Sequence, residues 1–443
     1  MLAHHFAAAG LEDKAIPYFQ KAGALAMRRS ALREAIAYLD KALELLNTLP
    51  QSAERSGQEL ALQVLLGQAW MLTAGYTAAE VEAAYTRARD LSEVTGDSYH
   101  LFFVLLGLWQ LYIAREEIAR ARETAEQLLT LAMSQDDRDF IIEAHVAQLV
   151  TVYTQGAFEK TLAHANEAIA LNDPEAQRRR IQSFGYDGRV IALTGASWAL
   201  WILGYPDQAV KKMREALGTA QKLAHPYTQT MALYCSAWLH LFRREASAAR
   251  ELAEHAIALS IEHGFPWPRA YAAPVGGWAL AEEGRTVEGI EMIRGGLAAL
   301  EQMGHRLWRP HQQGLLAAAY ARAGQFDEAL AAIKEALDTV SRTGDQDNVA
   351  ELHRLKGELA LQLALPEAAR EAERCFHDAI EIARRQHAKS WELRTATSLA
   401  RLWRSQGKNN QARELLAPVY GWFTEGFDTP DLRDARALLD TLV

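Results

Sequence analysis

The sequence predicts an all-α fold made of repeated helical hairpins, and three observations support this prediction. Residues 315–337, LLAAAYARAGQFDEALAAIKEAL, contain two stretches with apolar residues at helical spacing, one on each side of Gly324. Glycine at that point suits the C-terminus of a helix, so two helices joined by a tight turn are expected. Residues equivalent to Ala336 return along the chain at a nearly constant interval. One hairpin cannot bury its own apolar face, and copies of it should therefore stack on both sides.

The interval between equivalent positions is close to 40 residues. The period positions, which are mostly small residues near the end of the second helix of each hairpin, are Ala22, Ala42, Ala88, Leu128, Ala168, Ala216, Ala256, Gly296, Ala336, Ala379 and Val419. From Ala88 onward they are separated by 40, 40, 48, 40, 40, 40, 43 and 40 residues. The period alone fits HEAT or armadillo units of about 40 to 47 residues better than tetratricopeptide (TPR) units of about 34.

The motif inside the period favours the TPR class. Ala329, Ile333 and Ala336 form a small, large, small stripe on one helix face, and the turn before them carries Gly324 and Phe326. The two alanines allow a neighbouring helix to approach closely. The predicted fold is therefore a TPR-like α-α superhelix, or solenoid, whose helices are longer than those of the standard unit.

Four segments follow along the chain. Residues 1–46 should form one or more N-terminal hairpins, although two apolar stripes there lie only 20 residues apart. Residues 47–58, NTLPQSAERSGQ, form a polar connector and candidate hinge with Pro50 and Gly57 as helix breakers. Residues 59–428 are the repeat array. Residues 429–443 are a capping helix that begins with Thr429 as N-cap, followed by Pro430 and Asp431.

Two places depart from the regular repeat. The repeat that ends at Ala216 is eight residues longer than its neighbours, and residues 173–175, Asp-Pro-Glu, predict the start of a lengthened first helix there. The basic run at residues 178–180 is either a solvated helix face or a contact for an anion or a partner. Pro274 should kink the helix that contains it.

Composition restricts the function classes. A net charge of −9 argues against a general nucleic-acid surface, because phosphate binding needs a concentrated basic footprint. No run of about 18 apolar residues predicts a membrane span, and the first residues do not resemble a secretory signal, so a cytoplasmic location is expected. Cys235 and Cys375 are 140 positions apart, which favours two buried thiols over a redox or metal pair.

Catalytic and cofactor motifs are absent from the sequence. It contains no G-x-x-x-x-G-K-[ST] phosphate loop, no H-E-x-x-H and no EF-hand loop. Residues 195–199, GASWA, fail the G-x-S-x-G nucleophile pattern at the last position. The 14 histidines are scattered. We therefore expect no enzyme activity, no metal site and no cofactor.

Six aromatic residues form the candidate binding site. Trp198, Trp238 and Trp278 hold the same place in the first helix of three successive repeats, 40 residues apart, at a position that faces the concave groove in TPR proteins. Trp201, Tyr234 and Tyr271 come from the same helices. Such rings suit a protein segment, a peptide or a small effector. The alternative is that they fill the space between lengthened helices.

Several segments resemble a known family. They are residues 350–362, AELHRLKGELALQ, residues 371–403, EAERCFHDAIEIARRQHAKSWELRTATSLARLW, and residues 414–442, ELLAPVYGWFTEGFDTPDLRDARALLDTL. They resemble the C-terminal TPR tail of bacterial multidomain proteins in which a class III adenylate/guanylate cyclase-like domain precedes an AAA or STAND-type ATPase module. The opening residues and residues 277–284, GWALAEEG, look like the same tail.

The resemblance implies a regulatory or sensory arm of a signalling protein. Neither the metal-binding carboxylates of the cyclase nor the phosphate loop of the ATPase is present, so neither activity is carried to any residue here. The implied partners are upstream ATPase or cyclase domains. The charge and the lack of a long apolar run separately predict no nucleic-acid and no membrane partner. The alternatives are that the chain is part of a cyclase enzyme, or the sensor arm of a transcription regulator.

Overall fold

The structure is a computed structural model that describes residues 2–29, 31–171, 173, 176–363 and 367–442. These residues form 23 α-helices and no strand. The helices are α1 (Leu2–Ala8), α2 (Glu12–Arg28), α3 (Leu32–Thr48), α4 (Ala53–Ala74), α5 (Ala79–Thr95), α6 (Ser98–Ala114), α7 (Ile118–Gln135), α8 (Arg138–Thr154), α9 (Phe158–Ala170), α10 (Gln177–Phe184), α11 (Gly188–Ile202), α12 (Pro206–Leu223), α13 (Pro226–Phe242), α14 (Ala246–His263), α15 (Pro266–Glu282), α16 (Thr286–Gln302), α17 (Arg309–Arg322), α18 (Phe326–Thr343), α19 (Val349–Gln362), α20 (Ala368–Arg385), α21 (Lys389–Ser405), α22 (Asn409–Gly421) and α23 (Pro430–Asp440). The predicted all-α fold of TPR-like hairpins is confirmed.

The chain divides into two compact units. Unit 1 comprises Met1–Ala147 and Glu301–Leu307, and unit 2 comprises Gln148–Leu300 and Trp308–Val443. Within the described residues, no helix combines the length and apolar character that crossing a bilayer requires.

Unit 1 packs its hairpins around large apolar side chains. Phe19 of α2 and Leu39 of α3 are fully buried. The ring of Tyr85 lies against glycines of α4 and α6, and a Cβ on Gly67 would come within 2.7 Å of it. Residues 301–307 join this unit through main-chain contacts, since the Thr77 hydroxyl donates to the Met303 carbonyl over 2.9 Å. Bulky side chains thus fill gaps that small residues on adjacent helices leave open.

The predicted connector at residues 47–58 is largely helical. Helix α3 continues to Thr48 and α4 begins at Ala53, which leaves only residues 49–52 outside a helix. The Ser52 side chain caps α4 by accepting a hydrogen bond from the Arg55 amide at 3.1 Å. Its role as a hinge stays a prediction.

The period positions are buried, as a repeat array requires. Ala216, Ala256, Ala336 and Ala379 have no exposed surface, and the apolar stripe of α18 is buried with them. Only Ala22, in the less regular N-terminal part, is half-buried. Because each of these residues sits where two helices approach, the small side chain sets the distance between neighbouring hairpins.

The insertion before α11 folds differently from the prediction. It forms the separate short helix α10, which ends at Gly185 with φ +80°, and not a lengthened first helix. Asp187 then caps α11 by accepting from the Val190 amide at 3.1 Å. Pro174 and Glu175 lie outside the described residues, as does the side chain of Arg178. Arg180 is fully buried 3.8 Å from the Asp187 carboxylate, so the solvated-face interpretation is wrong for this residue.

Two prolines behave in distinct ways. Helix α15 extends without interruption through Pro274, and the period position opposite is Gly296, where an added Cβ would come within 2.8 Å of the proline ring. Helix α23 begins at Pro430 as predicted. Thr429 occupies the N-cap position, but its hydroxyl donates to the Gly426 carbonyl at 2.7 Å and does not cap the helix. Thr429 is therefore the N-cap residue as predicted, but its side chain makes no hydrogen bond to the helix.

Candidate binding site

The six aromatic residues predicted to line a groove lie in the interior of unit 2. Trp198, Trp201, Tyr234, Trp238, Tyr271 and Trp278 project from α11, α13 and α15 and expose between 0 and 8% of their surface. Their packing corresponds to the alternative given above, in which these rings fill the space between helices. Whether they contact a ligand stays a prediction.

Residues that are distant in sequence cover the aromatic rings. Trp201 stacks on Phe242 with centroids 5.2 Å apart and meets the edge of Trp391 at 4.8 Å. Trp198 packs against Trp308 at 5.5 Å and donates its indole N–H to the Cys235 carbonyl. Unit 2 therefore brings α21 against α11, and the surface expected to be an open groove is mostly occupied by its own side chains.

A buried histidine completes this interior. His311 lies 4.7 Å from the Trp238 ring and is stacked on Phe242 at 5.6 Å. Burial lowers the pKa of His311 to about 3, so its imidazole is neutral at physiological pH. A small void of about 10 Å³ beside these rings is near the minimum size for one water molecule.

A larger cavity of about 390 Å³ opens beside the aromatic interior. Its walls come from α17, α19 and α21, with contributions from the α13–α14 turn, the end of α15 and α23. The charged and aromatic side chains that line it are Arg244, Trp278, Glu282, His311, Arg322, Glu351, Arg354, Glu358, Trp391, Arg394, Arg401, Asp431 and Asp434. These include five arginines and five carboxylates, so the charges of the wall are balanced.

Ion pairs in the wall of the cavity join three helices. Arg394 of α21 contacts Asp431 of α23 at 2.6 Å and Glu351 of α19 at 3.5 Å. It also donates to the Phe242 carbonyl and lies over the Trp391 ring, 4.9 Å from its centroid. The planar guanidinium can satisfy these partners together, which a lysine could not do.

The same network keeps its carboxylates ionised. Burial by itself would raise the pKa of Glu351, but the neighbouring Arg354 and Arg394 outweigh it and the pKa lies below the usual value. Burial would also raise the pKa of Asp431, but Arg394 and Arg244 outweigh this effect and the pKa is lowered. The charges therefore persist at neutral pH, where each is compensated by an oppositely charged neighbour.

Arg244 supplies the rim of the cavity from an unusual backbone position. Its φ is +59°, whereas the equivalent turns of three other repeats carry Gly204, Gly284 and Gly324, and that of a fourth carries Glu116, also at +59°. Its guanidinium contacts Asp431 and Asp434, both at 3.0 Å. The left-handed conformation is unfavourable for a residue with a Cβ. At this turn a strained backbone therefore carries a side chain that contacts two carboxylates.

Sequence reasoning did not identify the charged cavity. One signal was available, because Arg244 breaks a series of turn glycines spaced 40 residues apart. Arg394 gave no such signal, since one arginine among several on α21 resembles a surface residue. Among the predicted aromatics, only Trp278 lines the larger cavity, whereas Trp391 was not predicted. In the described part of the chain, no group of three or more His, Cys, Asp or Glu side chains is arranged to hold a metal ion.

Comparison with known proteins supports the fold. No family model matches the chain. An uncharacterised protein of Rhizobium meliloti (strain 1021) is 22% identical over 405 residues, which cover 90% of this chain. The chain spans only 39% of the length of that relative.

Solved structures give the same architecture at low identity. A Rap protein complexed with Competence and Sporulation Factor has a TM-score of 0.54 and 12% identity, covering 91% of this chain and 99% of the other. The apo form of RapI has a TM-score of 0.50 and 12% identity, with 65% and 98% covered. Such similarity extends to the fold alone. The chain is thus an all-α protein of TPR-like helical repeats.

Proposed function

We propose that this chain is a binding scaffold that holds a peptide, or a segment of a partner protein, in the cavity of unit 2. The observation that carries this proposal is the cavity of about 390 Å³ lined by paired arginines and carboxylates from several repeats. Concave sites with a few fixed polar groups are the usual places where proteins hold ligands. The aromatic contribution comes from Trp278 and Trp391, in place of the open row of rings expected from the sequence.

The charge balance of the wall favours a peptide over a simple ion. A lone anion or cation would have to separate existing ion pairs without replacing both partners. A peptide carries donors, acceptors and charges of both signs along its length and can satisfy both members of a pair. The Rap protein with the same fold was crystallised with Competence and Sporulation Factor, which is compatible with this use of the architecture.

The finer proposal is that the scaffold is the regulatory or sensory arm of a signalling ATPase or cyclase-type protein. Its support is the sequence resemblance of the C-terminal segments, together with the greater length of the Rhizobium meliloti relative. A ligand would regulate an attached or separate enzyme only if it binds two states of the scaffold with different affinity. We propose that the chain itself has no catalytic role, and an ATP turnover and cyclase assay on the purified chain checks this.

The binding proposal is tested with a defined library of short synthetic peptides and a variant that fills the cavity. Ala318 lines the cavity, so Ala318→Trp should occupy the space and weaken any peptide found with the wild-type chain at least tenfold. Ala331→Trp places the same side chain on an exposed position of α18 and should leave affinity unchanged. Fluorescence anisotropy gives the affinities, and circular dichroism confirms that both variants are folded.

Two results would contradict the proposal. One is that no peptide in the library binds the wild-type chain. The other is that Ala318→Trp binds every selected peptide as well as the wild type does, which would place the ligand outside the cavity.

A further inference from the structure

Three arginines converge on two carboxylates at one edge of the cavity. We call this set the arginine cradle: Arg244 from the α13–α14 turn, with Arg394 and Arg401 from α21. Asp431 is held by Arg394 at 2.6 Å and by Arg244 at 3.0 Å. Asp434 is held by Arg244 at 3.0 Å and by Arg401 at 3.2 Å. The cradle thus recognises two carboxylates that lie one helical turn apart.

The cradle is assembled from parts of the chain that are far apart. Arg244 and Asp431 are separated by 187 residues. Arg244 adopts φ +59° at a turn where Gly204 and Gly284 have the corresponding positive φ. Glycine would relieve the backbone there, but it would remove the guanidinium from the cradle. Glu116 has the same φ of +59° at the equivalent turn of another repeat, so it is the ion pairs of Arg244, and not its backbone conformation alone, that connect this side chain to the cradle.

The occupant of the cradle is an amphipathic acidic helix. On α23 the carboxylates at 431 and 434 lie beside an apolar stripe formed by Leu432, Ala435 and Leu438, which are buried against α21 and α22. The pattern is a pair of acids at i and i+3, with apolar residues at i+1, i+4 and i+7. Helix α23 is short and terminal, and it docks with this one face.

We propose that the arginine cradle is a docking site for an acidic amphipathic helix of a partner protein, and that α23 occupies it as an internal competitor. This inference rests on the proposed binding function and specifies a partner class for it. Without α23, Arg244, Arg394 and Arg401 would lose the two carboxylates that this helix supplies. A cationic or neutral segment has no carboxylates with which to replace them. The adjoining apolar surface selects a helix over a bare polyanion.

The test uses the full chain and a labelled synthetic peptide with the sequence of residues 426–442. In the double variant Asp431→Asn/Asp434→Asn the internal helix loses its ion pairs, while its shape is retained. The peptide should bind this variant at least tenfold more tightly than it binds the wild type, because the internal competitor is weakened. A peptide in which the same two positions are Asn should lose at least tenfold in affinity.

Further variants assign the binding to the cradle. Adding Arg244→Gly and Arg401→Ala to the double variant should abolish peptide binding, and Arg244→Gly should at the same time relieve backbone strain. Arg413→Ala, an exposed arginine on α22, is the matched control and should have no effect. The effect of Arg244→Gly and Arg401→Ala is measured on this peptide, and the effect of Ala318→Trp on the library peptides, so failure of the cavity proposal and failure of the cradle proposal give different results.

A second peptide tests the partner class. It keeps the acidic and apolar positions of α23 and replaces every other residue, and it should bind the double variant within threefold of the first peptide. In hydrogen exchange, excess second peptide should increase exchange in α23 of the wild type but not in α22. Equal affinity of the first peptide for wild type and double variant would overturn the proposal. So would loss of binding by the second peptide, or equal binding by polyglutamate.

Discussion

Asp345 is a carboxyl group placed where a charge is unfavourable. It exposes 1% of its surface in the turn before α19, and its carboxylate accepts a hydrogen bond from the Asp347 amide at 3.2 Å. Burial raises its pKa to about 6, and the hydrogen bonds from Asp347 only partly oppose this effect. The folded chain therefore binds a proton here at a pH where the unfolded chain has already lost it.

Replacing Asp345 with Asn should stabilise the chain at high pH but not at low pH. The ordinary pKa is 3.8, and the folded pKa is about 6, so the folded state is penalised increasingly as pH rises from near 4 to above 6. Asparagine retains an oxygen for the Asp347 amide and carries no charge. We expect the midpoint of thermal unfolding to rise by at least about 2 °C at pH 8, with a smaller change at pH 4.

The control for this experiment is Asp428→Asn, which changes an exposed aspartate of the same unit. It should alter the midpoint little at either pH. An Asp345→Asn effect of equal size at pH 4 and pH 8 would show that ionisation is not its origin.

At the scale of the element, α15 and α16 meet backbone against backbone. A Cβ on Gly277 would come within 2.5 Å of the Gly289 carbonyl oxygen, and a Cβ on Gly289 would overlap the Gly277 carbonyl in the same way. Neither obstacle is a flexible side chain, so the helices would have to separate. The glycine pair is therefore required for the close packing of this hairpin.

Gly289→Ala and Gly295→Ala should have opposite effects, although both lie on α16. The first should destabilise the chain by about 1–3 kcal/mol through overpacking. The second has open space around its Cβ and should be neutral or stabilising by about 0.5–1 kcal/mol, because alanine favours the helix. Thermal unfolding followed by circular dichroism compares them, and a loss of stability in both variants would contradict the assigned contact.

At the scale of the molecule, α23 packs against the apolar core of unit 2. Leu432, Ala435 and Leu438 of α23 share a buried cluster with Leu416 of α22 and Leu393 of α21. The last hairpin of such an array would otherwise expose an apolar face, and α23 covers that face of α21 and α22. The same helix supplies the carboxylates of the arginine cradle.

Deletion of residues 429–443 should therefore make the chain self-associate. The exposed face of α21 and α22 would favour contact with another copy, so the average mass should increase with protein concentration. Light scattering after size-exclusion chromatography measures this mass. Arg433→Ala changes an exposed residue on α23 and should leave the mass unchanged. A deletion variant with a mass independent of concentration would show that α23 is dispensable as a cap.

The sequence by itself determined the local architecture. Ala329, Ile333 and Ala336 predicted the buried stripe of α18, and the spacing of equivalent residues predicted the stacked hairpins. Such features depend on the helical period and on contacts between neighbouring repeats, both of which are written within about 40 residues. The start of α23 at Pro430 was likewise predictable from a local signal.

Only the tertiary structure decided what the inner surface of unit 2 contains. The contact of Trp201 with Trp391 and the pairing of Arg244 with Asp431 join residues nearly 200 positions apart. These contacts depend on the small rotation between repeats, summed over several hairpins, and no single repeat encodes that sum. The row of tryptophans could be recognised from its spacing. Whether the row would face solvent or be covered by α21 could not be predicted, because the covering residues come from distant repeats.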